Sequence, residues 1–182
     1  MTVSRSGKNR LLIPALCLAV LLQAGILAMV YINAQIPLWT GKPVLLKTLP
    51  VDPRSLFRGN YARLTYDISQ IPVADLNRHA AVIRPDQQVY VLLAPGPDQV
   101  YTYRGIHLEK PRDGDFIRGR LDNYREKTSG SYRVRFGIEA YFAPKEKALA
   151  IEKQLQSSAV ARVYISGSGK AALEAIHAHE TP

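Results

Sequence analysis

Asp52-Pro53-Arg54-Ser55-Leu56-Phe57-Arg58-Gly59-Asn60-Tyr61-Ala62-Arg63-Leu64-Thr65-Tyr66-Asp67-Ile68 is the stretch whose reading decides the fold. From Tyr61 onward it alternates. Ala62, Leu64, Tyr66 and Ile68 fall on one side, and Tyr61, Arg63, Thr65 and Asp67 on the other. Period two is the signature of a strand with one buried face. Asp52-Pro53 opens a turn before it, because Pro53 fixes its own φ and Asp52 can bond the backbone ahead. Gly59 stands where the chain enters the strand, a place for a bulge or tight bend.

Outward from this strand, short apolar or alternating runs recur between turn residues, at 44–49, 88–94, 100–108, 116–124 and 132–138. Pro95-Gly96-Pro97-Asp98 reads as the turn of a hairpin, as do Pro111-Arg112-Asp113-Gly114-Asp115 and Ser129-Gly130. In 132–138, Tyr132, Val134, Phe136 and Ile138 alternate with Arg133 and Arg135, the clearest amphipathic strand of the chain. Residues 73–79 have the spacing of a short helix. Residues 145–156 read as an amphipathic helix opened by Pro144, with Ala148, Ile151 and Leu155 on one stripe. Residues 160–165 form a strand and 166–169 a turn. Residues 170–176 carry helix-favouring alanines but are placed as the closing strand. The fold expected is mainly β, a β-sandwich or small barrel-like antiparallel sheet with one or two short helices.

The first quarter of the chain is of another kind. No charge occurs from Leu11 through Gly41, and residues 11–32 are long enough as a helix, about 33 Å, to cross a hydrocarbon core of about 30 Å. Arg5, Lys8 and Arg10 precede it and only Lys42 follows closely, which places the N-terminus in the cytoplasm and the rest outside. The apolar run exceeds the 7–15 residues of a signal peptide, which favours a retained anchor over a cleaved leader. Ala15, Ala19 and Gln23 recur every fourth residue. Such a stripe lets a partner helix approach and gives it a hydrogen bond. The expected organisation is a cytoplasmic N-terminus at 1–10, an anchor at 11–34, a linker at 35–43, a periplasmic β domain at 44–178 and a disordered tail at 179–182.

Net charge is +9. Setting aside Arg5, Lys8 and Arg10 leaves 21 basic against 15 acidic residues, a moderate excess that suits anionic lipid or envelope polymers without specifying either. No basic run marks a nucleic-acid binder. The one cysteine, Cys17, lies in the apolar segment, which removes any intrachain disulfide and any cysteine-based metal or redox site.

Gly59-Asn60-Tyr61-Ala62-Arg63-Leu64-Thr65-Tyr66 resembles the motif that names the GDYXXLXY family of bacterial membrane-anchored proteins. The lead-in Asp52-Pro53-Arg54 and Leu56-Phe57-Arg58 is similar to that family too, as is Gly137-Ile138-Glu139-Ala140-Tyr141-Phe142-Ala143-Pro144. The resemblance covers about residues 40–175. It implies architecture and location, and an accessory role beside multi-pass membrane proteins, rather than a reaction. The motif's Asp is Asn60 here, a change that a catalytic or metal-binding carboxylate would not survive but a turn acceptor would.

Chemical motifs are sparse. Ser166-Gly167-Ser168-Gly169-Lys170 looks like a phosphate loop but fails on spacing. Tyr164 stands where glycine is needed, and Ala171 where Ser or Thr is needed. A Ser–Lys hydrolase would draw on Ser55 or Ser166 with Lys145 or Lys170. Asp113 and Asp115, with Asp122 and Asn123 following, are too few ligands for a calcium loop, and His79, His107, His177 and His179 do not form a metal pattern. No catalytic set, cofactor or metal is expected. Arg54, Arg58 and Arg63 with Tyr61 and Tyr66 make the candidate binding surface. Glu139 is expected to pair with Arg58 or Arg63 and so join the two family-like stretches. The function expected is an anchored extracytoplasmic accessory or binding domain with a multi-pass partner. The alternatives are an envelope hydrolase or a binder of anionic envelope polymers.

Overall fold

The computed structural model describes residues 8–49, 61–77, 84–96, 98–126, 130–142 and 159–178. The chain divides into two compact units, one ending at Ile36 and one beginning at Pro37.

The first unit is helical. Helix α1 runs Lys8–Thr40, and its apolar part, Leu12–Thr40, is long enough to cross a membrane. Every large apolar side chain that stays exposed among the described residues lies on this helix, from Leu12 to Trp39. The helix outruns the anchor boundary at 34, so residues 35–40 are helical rather than linker. Pro37 has no N–H to offer the carbonyl of Asn33 but its φ suits a helix. The helix closes with the Gly41 amide on the Pro37 carbonyl at 2.9 Å.

The second unit is a sheet. Its strands are β1 (Lys42–Thr48), β2 (Tyr61–Arg63), β3 (Gln70–Pro72), β4 (Gln88–Pro95), β5 (Val100–His107), β6 (Asp115–Glu126), β7 (Ser131–Arg135), β8 (Ala140–Phe142), β9 (Ala159–Ile165) and β10 (Ala171–Ala178), with the short helix α2 (Val73–Asn77) after β3. Eight strands form one sheet in the order β10-β9-β1-β5-β4-β6-β7-β3, and β2 pairs with β8 in a small second sheet. All these pairings are antiparallel except β1 with β5, which run parallel. The large sheet curls. Three strands separate β9 from β6 in the sheet order, yet the β9–β10 turn reaches β6, where the Arg118 amide donates to the Gly169 carbonyl at 2.8 Å. The barrel-like alternative is therefore the one the chain adopts. The helix expected at 145–156 and the tail at 179–182 lie outside the described residues.

Alternation fills the inside of the curl. Val44, Leu46, Val89, Val91, Leu93, Ile106, Ile117, Leu121, Val134, Val163 and Ile165 are all buried. Their exposed neighbours, such as Arg120, Arg135 and Arg162, stand on the opposite face. Two strands break where periodicity reads them as continuous. The motif strand pairs only at Tyr61–Arg63, then bridges Thr48 through Tyr66 and enters a single 3-10 turn, Asp67–Ser69. Burial nonetheless keeps its period, with Leu64, Tyr66 and Ile68 inside. Strand β7 stops at Arg135 because Gly137 takes φ +84°, a conformation a side chain resists.

Gly119 sets the spacing of β6 and β7. A Cβ there would stand 2.3 Å from Val134 Cγ1 and 2.9 Å from the Arg135 carbonyl oxygen. Gly119→Ala is expected to destabilise the domain by about 1–3 kcal/mol through overpacking. Chemical denaturation at unchanged m-value checks this.

Candidate functional site: the motif seam and the arginine cleft beside it

The two family-like stretches lie against each other. Strand β2 pairs with β8 in the register Tyr61↔Phe142, Ala62↔Tyr141 and Arg63↔Ala140. Beyond the ladder, the Leu64 amide donates to the Glu139 carbonyl at 2.8 Å, and the Tyr66 hydroxyl donates to the Ile138 carbonyl at 2.7 Å. On the other side the Leu49 amide donates to the Thr65 carbonyl at 2.8 Å. The motif segment thus ties the end of β1 to the bend between β7 and β8.

Glu139 does not make the expected ion pair with Arg63, and its alternative partner Arg58 lies outside the described residues. Among the described residues its carboxylate pairs with no arginine. Instead Oε1 accepts the Phe136 amide and Oε2 the Gly137 amide at 2.9 Å, which fixes the bend that Gly137 permits. A carboxylate three residues after an amide bend reaches it without ordering a long arginine side chain, so the local bonds win. Among the described residues the stretches are joined by main chain and by the Tyr66 phenol. Arg54 and Arg58 lie outside the described residues, as does Asn60.

Tyr66 is fully buried, at 0 % exposure. It offers no surface to a ligand, which corrects its placement in the binding set; it is a core residue with a polar tip. Leu64 is equally enclosed at 1 %. Burial pushes the Tyr66 phenol far above the ordinary tyrosine range, and the Glu139 charge adds to this. A phenol whose folded pKa exceeds its unfolded pKa of about 10 stabilises the fold fully below that pH and loses the contribution as pH rises above it. Alkaline unfolding is expected to steepen above pH ~10 by about 1.4 kcal/mol per pH unit from this group. Equilibrium denaturation across pH 9–11 (roughly the titration window) reads the slope, which Tyr66→Phe should remove.

Of the residues read as a binding set, Arg63 is exposed and lines a small cleft with Thr65, Asp122, Arg133, Arg135 and Glu139. That cleft shares Arg135 and Glu139 with a larger one of about 440 Å³, lined by Asp86, Gln88, Arg118, Gly119, Arg120, Arg135, Phe136, Gly137 and Glu139. In the larger cleft Asp86 bridges two arginines, Arg120 at 3.0 Å and Arg135 at 3.2 Å. Asp86 itself holds φ +58°, with Arg120 also on its carbonyl at 3.0 Å. The sequence signal for these arginines was present, since Arg118 and Arg120 on β6 and Arg133 and Arg135 on β7 occupy the polar phase of two strands. What periodicity lacks is the pairing Arg120↔Arg135 that brings those phases together.

The remaining chemical motifs resolve as local structure. Ser166 starts the β9–β10 turn, its amide on the Lys170 carbonyl at 2.9 Å and its hydroxyl 3.0 Å from that of Ser168 and 3.1 Å from the Lys170 carbonyl. Asp115 holds Lys42 at 2.7 Å, which raises the lysine's pKa above its ordinary value. Among the described residues no three His, Cys, Asp or Glu side chains converge to hold a metal ion. Ser55, Lys145, His79 and His179 lie outside the described residues.

No curated protein and no solved structure matches the chain. Comparison with protein families matches residues 23–176 to the GDYXXLXY protein family, a span that takes in the second half of α1 as well as the sheet. With the motif leucine and final tyrosine both in the core and both bonded to the 138–139 bend, the chain belongs to the GDYXXLXY family.

Proposed function

We propose that this protein is a single-pass accessory of the bacterial inner membrane. In this reading α1 holds it there, the N-terminus faces the cytoplasm, and the sheet domain works in the periplasm beside a multi-pass membrane protein. The observation that carries the reading is α1, whose large apolar side chains are exposed along its length while the domain closes a core of its own. Such a helix needs a bilayer or other helices around it. The orientation follows from Arg5, Lys8 and Arg10 before the span against Lys42 after it. Ala15, Ala19 and Gln23 supply the stripe against which a partner helix would pack.

The experiment is purification of the full chain from its own membranes in mild detergent after in-membrane crosslinking. A stoichiometric multi-pass protein is expected. Gln23→Leu is expected to weaken its retention by about 1 kcal/mol, roughly fivefold. A chain that emerges alone from crosslinked membranes contradicts the reading. Labelling of cysteines introduced at position 5 and in the exposed turn at position 113, with Cys17→Ser, tests the orientation. Only the second is expected to react with an impermeant reagent from the periplasmic side.

A further inference from the structure

Of the three arginines that line the cleft over β6, Arg118 alone has no acidic partner among the described residues. Arg118, Arg120 and Arg135 face Asp86 and Glu139 within it. Asp86 is spent on Arg120 and Arg135, and Arg135 also has Asp122 at 3.9 Å. Both oxygens of Glu139 are spent on backbone amides. Arg118, half-buried on the same face of β6 two residues before Arg120, has no side-chain hydrogen bond or ion pair among the described residues. Gln88, opposite Arg120 in the ladder, gives its amide nitrogen to the Tyr90 hydroxyl at 2.7 Å and keeps its carbonyl oxygen. Gln88 and Arg118 are therefore diagonal neighbours, about 7–8 Å apart in backbone terms, and both line the cleft.

We propose that this cleft binds a small monoanionic carboxylate, gripped through both oxygens by the Arg118 guanidinium, with the Gln88 carbonyl accepting a hydroxyl or amide hydrogen from the same ligand. A guanidinium matches a carboxylate in shape as well as charge. The volume falls within the range of small-molecule sites, about 300–1,000 Å³. One unspent positive charge balances one carboxylate. A phosphate monoester, at nearly two negative charges, would face Asp86 and Glu139 across the same space. The proposal is independent of the partner reading, because every residue it names belongs to this chain.

The test is calorimetric or ligand-detected NMR titration of the full chain in zwitterionic micelles. The probes are N-acetylalanine, as a peptide-like terminus, gluconate, as a hydroxy acid, the uncharged N-acetylalaninamide, and inorganic phosphate. Saturable binding of one of the two carboxylates is expected, with none for the amide and weaker binding for phosphate. N-acetylalanine binding alone assigns a peptide terminus, and gluconate alone a hydroxy acid. Arg118→Ala should weaken binding roughly tenfold or more, Arg118→Lys less, and Asp86→Asn should strengthen it by releasing Arg120 and Arg135. Arg112→Ala, in an exposed turn, should change nothing. The melting temperature of each variant separates lost binding from lost fold. Equal binding of the amide, tighter binding of phosphate, indifference to Arg118→Ala in a folded variant, or no carboxylate saturating by about 10 mM would each overturn the proposal.

Discussion

Tyr66→Ala is expected to lower the stability of the sheet domain by about 3–5 kcal/mol, a large part of what holds a domain of this size together. Two effects add. The ring is fully buried among the core residues, so its removal leaves a cavity that the curled sheet can only partly refill. Its hydroxyl is also the donor to the Ile138 carbonyl at 2.7 Å, and that carbonyl lies where water does not replace the bond. Tyr66→Phe separates the two. It keeps the ring and removes the donor, for an expected loss of about 1–3 kcal/mol. Denaturant midpoints of the full chain in micelles measure both. A Phe variant as stable as the parent would mean that the phenol is not what ties the motif to residue 138.

Leu64→Ala should come next, at about 2–5 kcal/mol. Leu64 is 1 % exposed, and its amide already serves the Glu139 carbonyl. The substitution therefore leaves the main-chain bond intact and removes only packing. Its loss and that of Tyr66→Ala should not add, because both side chains belong to one core cluster and both residues bond the 138–139 bend. A double variant less destabilised than the sum of the singles is the expected result, and thermal or denaturant unfolding of the four proteins completes the cycle. These two predictions give the family motif a physical reading. Its leucine and last tyrosine are spaced two apart because extended backbone turns both to the same side, and both are buried in the core.

The sequence carried this burial clearly but not its partners. Period two in 61–68 reports which side chains go inside, and Leu64, Tyr66 and Ile68 do. It cannot report that the segment leaves β8 after Arg63 and bridges β1 at Thr48, because pairing is decided by residues far away in the chain. The same limit explains β7, where apolar alternation runs to Ile138 while the positive φ of Gly137 ends the ladder early. The helix differs for a local reason: the anchor is expected to end at 34, yet the single donor missing at Pro37 is tolerated and α1 continues to Thr40.

The candidate site was less legible than the fold. An ion pair between Glu139 and Arg63 is a reasonable expectation from charge alone, but the amides of Phe136 and Gly137 are closer in sequence and need less ordering. The arginine cleft gathers residue 86 from a turn, 118–120 from β6 and 135–139 from β7 and the bend. Its arginines stand out in sequence only as the polar phase of two strands, which is also the pattern of an ordinary solvated face. What distinguishes them is convergence in space. Arg118 stands without a partner among the described residues, beside two arginines that share one aspartate.

The central claim is that the motif segment is a structural seam, sewn to residues 138–142 on one side and to β1 on the other. Amide hydrogen exchange of the full chain in micelles tests it most directly. The Leu49 and Leu64 amides, which donate to Thr65 and Glu139, are expected to exchange only through opening of the whole domain, and Tyr66→Phe should speed them in step with its loss of stability. Rapid exchange of Leu64 and Leu49 in the parent protein, while the amides of β4 and β6 stay protected, would contradict the account.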